Sequence, residues 1–429
     1  MMAFLISSII LASLSACGGK SGQEENLQLQ TNIAEDAEAG KNVSADRLSA
    51  EFTGMLSDFS IRFFQEALKT AENPEDNLMV SPYSLISALG LIENGTAGST
   101  LAELEQVFGG ISCEEMNRQM QIYASYLTTG SKKDAKFSTA NSIWARKSEQ
   151  IKLASDFRKV CNDFYDAKVE VTDFDDAAVS RVNKWVKQQT DGMIPSILDK
   201  FSEGDQILLL NAIAFDCKWQ SPFRKESIQE NEDFVNGQGG IEKAVMLNGG
   251  APGYIMLNGA YGFTRVYEGG KFAFLGLLPE EGVRLTDYVA GLTGGDFAAA
   301  LRDVRTDADV SIRIPEFKFD YFGELNANLH AVGISKMLDP NAADLGNMVE
   351  TELSDGNLYI SKVVQKTFIE LNREGTKAAA VTGGMAVTKS ESAPKPRLEI
   401  YLDRPFVFAI LDVEHGIPIF IGVVNTLAE

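Results

Sequence analysis

The segment EGTKAAAVTGGMAVTKSES, residues 374–392, constrains the fold more than any other stretch of the chain. It follows a strand-like run, LYISKVVQKTFIEL (358–371), and no proline interrupts residues 375–393, so every backbone N–H along it can donate to a sheet ladder. With the period of a strand, one face reads Thr376, Ala378, Ala380, Thr382, Gly384, Ala386, Thr388 and is small throughout. The other face reads Lys377, Ala379, Val381, Gly383, Met385, Val387, Lys389. A uniformly small face fits the middle of a packed sheet, where bulky side chains collide with what lies beneath. Gly375 supplies a hinge for such a segment to fold back. Composition alone also describes a flexible loop, so the rest of the chain decides.

From about residue 48 onward, helical and strand-like signals interleave without a repeat period or a second linker, which predicts one large domain over 48–429. Phe59, Phe63, Leu68 and then Leu85, Leu89, Ile92 mark amphipathic helices, the second starting after Ser81-Pro82. NKWVKQQTDGMIPSIL (183–198) reads as a helix closed by Gly192. Strands are expected over 207–215, 272–279, 310–319 and 358–371, and in the final pair PFVFAILDV and PIFIGVVN. LLLNAIAF and FAFLGLL are apolar on both faces, as central buried strands are. Helices fall mostly early and strands mostly late, an α+β pattern.

The formal net charge of −21 repels nucleic acid and anionic lipid surfaces, so no nucleic-acid partner is expected. Catalysis finds little material. His330 and His415 are the only histidines, and there is no G-x-S-x-G elbow, H-E-x-x-H, CxxC pair or G-x-G-x-x-G loop. His415 reads as a surface turn residue in Glu414-His415-Gly416, and His330 as the end of a helix, where a cation suits the dipole. Cys113, Cys161 and Cys217 have no metal-ligand spacing and read as small buried hydrophobes. No cofactor or metal is expected, and no enzyme.

The N-terminus, MMAFLISSIILASLSAC, has an apolar run too short to span a bilayer, then Leu14-Ser15-Ala16-Cys17. This resembles a bacterial lipobox cleaved before an acylated cysteine, which predicts a signal peptide over 1–16 and lipidation of Cys17. Residues 17–47 are polar and read as a flexible tether. The expectation is an exported protein, either an outer-membrane or cell-surface lipoprotein or extracellular, touching membrane through its anchor only.

From about residue 50 the chain resembles a serpin. EGTKAAAVT is similar to the family's reactive-loop hinge, and IYLDRPFVFAI with PIFIGVVN to its C-terminal signature. NLMVSPYSLISALGLIENGTAGSTLAEL, NSIWARK, NKWVKQQTDGMI, LLLNAIAFDCKWQSPF and IPEFKF fall in the family's order. The resemblance implies the serpin fold: a central, mainly antiparallel sheet with further sheets, surrounding helices and an exposed reactive loop at about 374–397. It also implies a suicide inhibitor of serine proteases, a monomer that forms a covalent 1:1 complex when its cleaved loop inserts as a new strand.

Residue roles come from the same resemblance. The hinge covers Glu374, Gly375, Thr376, Lys377, Ala378, Ala379, Ala380 and Thr382, with Lys377 where the family usually has Glu. Counting from Gly375 places the attacked bond at Lys389-Ser390, which suits a trypsin-like pocket. The loop's length keeps Met385, Val387 and Thr388 open as alternatives for the apolar or small pockets of elastase-like or cysteine proteases. Ser81, Ser84 and Asn211 match the polar shutter beneath the sheet, Gln365 stands where the family has histidine, and Trp219 matches the tryptophan where the loop enters first. A non-inhibitory serpin serving as a binding module would carry prolines or bulky charges on the inserting face, and none occur there.

Overall fold

The computed structural model describes residues 47–129, 135–148, 151–350, 357–376 and 395–428. Helix α1 (Ala50–Lys69) opens with Ser49 accepting from the Phe52 N–H and buries the stripe Phe52, Leu56, Phe59 and Phe63. Strand β1 (Leu78–Val80) leads into α2 (Pro82–Glu93), with Ser81 as its cap and Pro82 in its first turn, as expected. All of α2 is buried, so it is a core rod rather than an amphipathic surface helix. Next come α3 (Gly98–Val107), α4 (Cys113–Thr128), β2 (Ala135–Arg146), α5 (Ser155–Tyr165), β3 (Lys168–Thr172) and α6 (Asp176–Gln189). The helix expected over 183–198 therefore starts earlier and stops at Gln189. Gly192, at φ +79°, closes it by donating to the Lys187 carbonyl at 2.7 Å, and the chain runs on without helix.

The second half is strand-rich: β4 (Ile207–Lys218), β5 (Ile228–Val235), β6 (Ile241–Ala251), β7 (Ile255–Leu257), β8 (Ala260–Val266) and β9 (Phe272–Leu278). After these come helices α7 (Leu285–Ala290) and α8 (Gly294–Arg302), then β10 (Asp309–Pro315), β11 (Phe317–Glu324) and α9 (Asn326–Ala331). The chain ends with β12 (Ile360–Asn372), β13 (Gly375–Thr376), β14 (Arg397–Tyr401), β15 (Phe406–Asp412) and β16 (Ile417–Val424). The loop expected at 374–397 thus has both of its described ends in sheets. The single strand expected over 310–319 is two: Pro315 and Glu316 pass the chain from β10, beside β6 and β14, to β11, beside β12.

Among the described residues the strands form three sheets. The first runs β1-β16-β15-β9-β8-β7, the second β14-β10-β6-β5, and the third, central one β11-β12-β13-β4-β2-β3. Strands β4 and β9 have interior positions with buried faces, as their two-sided apolar pattern predicts. The fold is α+β with mainly antiparallel sheets. In the middle of the central sheet, β12 and β4 also pair directly and in parallel, from Ile360 beside Ile207 to Phe368 beside Ala214.

His415 is not a surface turn residue. It lies 2.6 Å from the buried Asp412 carboxylate and packs edge-on against Tyr123 and Tyr126, so a turn tip has folded back into an aromatic cluster. His330 does sit in the last turn of α9. Cys161 and Cys217 are buried as expected, and Cys113 is only half-buried.

Candidate functional site

The central sheet carries a wedge at one end. After β12 the chain reverses through Arg373 and Glu374, and the two residues of β13 lie antiparallel between β12 and β4: Thr376 faces Leu371 on one side and Cys217 on the other. Immediately past the wedge, β12 and β4 close against each other. The central sheet is therefore shut along most of its length and started open at its tip.

Each group at the tip is held. The Trp219 indole N–H donates to the Asn372 carbonyl at 2.9 Å, and the Trp219 backbone N–H to the Glu374 carbonyl at 2.9 Å. The Asn372 side-chain oxygen accepts from the Glu374 N–H at 2.9 Å, which shapes the turn. Trp219 stacks on Tyr267 at 4.4 Å between centroids, and the Tyr267 hydroxyl meets the Thr376 hydroxyl at 2.7 Å. Thr376 and Tyr267 are fully buried. Gly375 is required here: its φ is +156°, and a Cβ would lie 2.2 Å from the Cys217 carbonyl oxygen.

Further along, one row of polar side chains crosses the closed sheet. Gln365 on β12 is level with Asn211 on β4, and Asn211 with Asn141 on β2. The Gln365 amide donates to Asn211 Oδ1 at 2.8 Å and to the Ser81 carbonyl at 2.9 Å, and accepts from the Ser81 N–H at 2.8 Å. The Asn211 amide donates to Ser84 and to the Asn141 side-chain oxygen. Asn141 in turn donates to Ser87 Oγ at 2.9 Å, and Ser81 Oγ donates to the Ile419 carbonyl at 2.7 Å. All of these side chains are buried, so the row is tolerated only because its members satisfy one another. It pins three strands to the cap and first two turns of α2.

The structure thus brings Ser81, Ser84, Asn211 and Gln365 into one network and seats Trp219 beside Glu374, Gly375 and Thr376. The expected loop residues Lys377, Ala378, Ala379, Ala380, Thr382, Met385, Val387, Thr388, Lys389 and Ser390, and the lipidation residue Cys17, lie outside the described residues. Sequence reasoning missed Asn141, Thr367 and Tyr267. Asn141 was detectable as the amide in NSIWARK, an interior strand position where amides are scarce. Thr367, whose hydroxyl donates to the Met79 carbonyl at 2.9 Å, shares the buried parity of Gln365. Tyr267 lies outside any strand and carried no signal.

Comparison with known proteins agrees with this geometry. The serpin (serine protease inhibitor) family model matches residues 55–427. The leukocyte elastase inhibitor A of Rattus norvegicus is 29% identical over 380 residues, spanning 85% of this chain and 96% of the relative. The thermophilic serpin tengpin in its native state is 33% identical, with a TM-score of 0.81, over 90% of this chain and 96% of that one. The same protein in its latent state gives 31% and a TM-score of 0.75, over 89% of this chain and 99% of that one. The greater likeness to the native form is in keeping with the closed β12–β4 pair. With a match that covers nearly all of its folded part, the chain belongs to the serpin family of serine protease inhibitors.

Proposed function

We propose that this serpin traps trypsin-like serine proteases that attack Lys389-Ser390, by inserting its cleaved loop between β12 and β4. One observation carries the reading: β13 already occupies the top of that lane, with the parallel pair shut beneath it. Carried downward, the register of β13 sets Ala378 between Phe215 and Ile369, Ala380 between Ile213 and Thr367, and Thr382 between Asn211 and Gln365. Those neighbours are buried, so small side chains are what the lane admits. Insertion exchanges one parallel pairing for two antiparallel ones, which are somewhat stronger per residue. Thr382 would bring a hydroxyl to the row where Gln365 and Asn211 part.

The test is incubation with a protease panel, followed by denaturing gels and sequencing of the released C-terminal peptide. A gel-stable complex with trypsin and a peptide beginning at Ser390 are expected. Loop cleavage by the proteases of the panel without any stable complex would overturn the trapping reading. Cleavage after Met385, Val387 or Thr388 is the second reading, favoured by the name of the elastase-inhibiting rat relative. The sequence Leu14-Ser15-Ala16-Cys17 supports export and a lipid anchor at Cys17.

A further inference from the structure

Helix α2 is capped in its backbone at both ends, the Glu93 carbonyl accepting from the Thr96 N–H at 3.0 Å, but its buried polar side chains are satisfied at one end and not at the other. At its first turn the polar row gives every group a partner. At its last residue, Glu93, neither carboxyl oxygen has a hydrogen-bond partner although the residue is only 1% exposed. The groups facing it are Glu105 from α3, Cys113 from α4 and Tyr165 from α5, none of them a cation. A negative charge here would also meet the negative end of the α2 dipole. Burial, reinforced by Glu105, raises the Glu93 carboxyl to about 8. The acid is therefore held neutral, unlike ordinary glutamates, inside a seam of four helices.

The other end of the same helix locks the lane. Ser81 and Ser84 hold Gln365 and Asn211, and α2 is one uninterrupted, wholly buried rod of 12 residues, about 18 Å long. We propose that Glu93 is a proton-controlled latch on the central sheet: while its carboxyl keeps its proton α2 stays docked, and ionisation loosens α2 and lets β12 and β4 part sooner. Below about 4.5 the group is protonated whether or not α2 is docked, and docking has its full strength. Between about 4.5 and 8 only the docked state keeps the proton, so docking weakens as pH rises, and above 8 it weakens no further.

The experiment compares wild type, Glu93→Gln and Glu93→Met between pH 5.5 and 9, by melting temperature and by spontaneous loss of trapping capacity on standing without protease. Wild type should lose capacity up to about fiftyfold faster at pH 8 than at pH 6, reach a plateau beyond, and melt progressively lower over that interval. Both variants should give flat profiles. A flat wild-type profile, an alkaline trend that survives in both variants, or a melting trend without any change in capacity loss each overturns the latch. The capacity readout rests on the proposed inhibitory function, whereas melting does not. If no protease is trapped at any pH, that function fails, and the melting profiles still judge the role of Glu93. If neither variant folds, amide exchange in wild type decides: opening of α2 that gains on α1 with rising pH, after correction for intrinsic rates, supports the latch, and parallel behaviour overturns it.

Discussion

Replacing Gln365 with leucine should turn a stable seal into a leaking one. The side chain makes three hydrogen bonds, two to Ser81 and one to Asn211. The Ser81 carbonyl keeps a helix bond from the Leu85 N–H at 3.1 Å, so the substitution orphans two groups, the Ser81 N–H and Asn211 Oδ1. Each orphan costs about 1–3 kcal/mol in a buried site. The two states of the sheet feel this differently. With a strand between them, β12 and β4 stand about 10 Å apart, and the Gln365–Asn211 bond is gone even in wild type. The substitution therefore raises the closed state by about 1–3 kcal/mol relative to the inserted one, which speeds opening roughly 5- to 150-fold at 25 °C. The assay is loss of trapping capacity on standing, with the appearance of a heat-stable, inactive form. Ser57→Ala is the control, since its hydroxyl donates to the Gly294 carbonyl at 3.1 Å and joins α1 to α8, touching neither α2 nor the lane, and insertion leaves that bond intact. That variant should melt lower but keep its capacity as long as wild type. If Gln365→Leu holds its capacity as long as wild type while melting lower, the seal does not lie where the polar row is.

Thr376→Arg should convert inhibitor into substrate. The native protein escapes by expelling two residues of β13, but the inserted state must bury an unpaired guanidinium and orphan the Tyr267 hydroxyl, and a net penalty of about 2 kcal/mol slows insertion roughly 30-fold. Inhibitor consumed per trypsin inactivated should rise steeply, with Lys377→Arg as the unaffected control; equal consumption would sink the assignment of the inserting face. Nicking the loop between Val381 and Lys389 should raise the melting temperature sharply, because a new central strand gains ladder bonds and buried area, and unchanged melting curves would indicate a static carrier instead. Cys17→Ala should release the protein from membranes in fractionated cells, since multiple acyl chains anchor stably, and equal retention of the variant would remove the lipobox reading.

What the sequence revealed depended on whether the signal was local. The cap Ser81-Pro82, the closure at Gly192 and the two-sided apolar strands β4 and β9 are written in adjacent residues and came out where expected. The break at Pro315 was local as well but was read through: apolar residues fall at Val310, Ile312 and Ile314 and then at Phe317 and Phe319, so the alternation changes phase at the proline, where β10 and β11 part to different partners. His415 was misjudged for a different reason: a Glu-His-Gly turn is polar in sequence, and nothing local shows Tyr123 and Tyr126 waiting for the ring. At the site, family motifs pointed to Ser81, Ser84, Asn211 and Gln365, but the level alignment with Asn141 is a matter of strand register. Glu93 gave no signal at all, since a helix-final glutamate beside Asn94 and Gly95 looks solvated until three further helices cover it.

Because the started wedge and the shut lane belong to one sheet, insertion of a cut loop, as proposed above, and insertion of an uncut one would open the same seam. Any change that parts β12 from β4 more readily quickens the kill and shortens the shelf life together, and any change that tightens them does the reverse. On the proposed mechanism the polar row is a timer as much as a fastening: its few buried hydrogen bonds would set how long each copy waits before the seam opens.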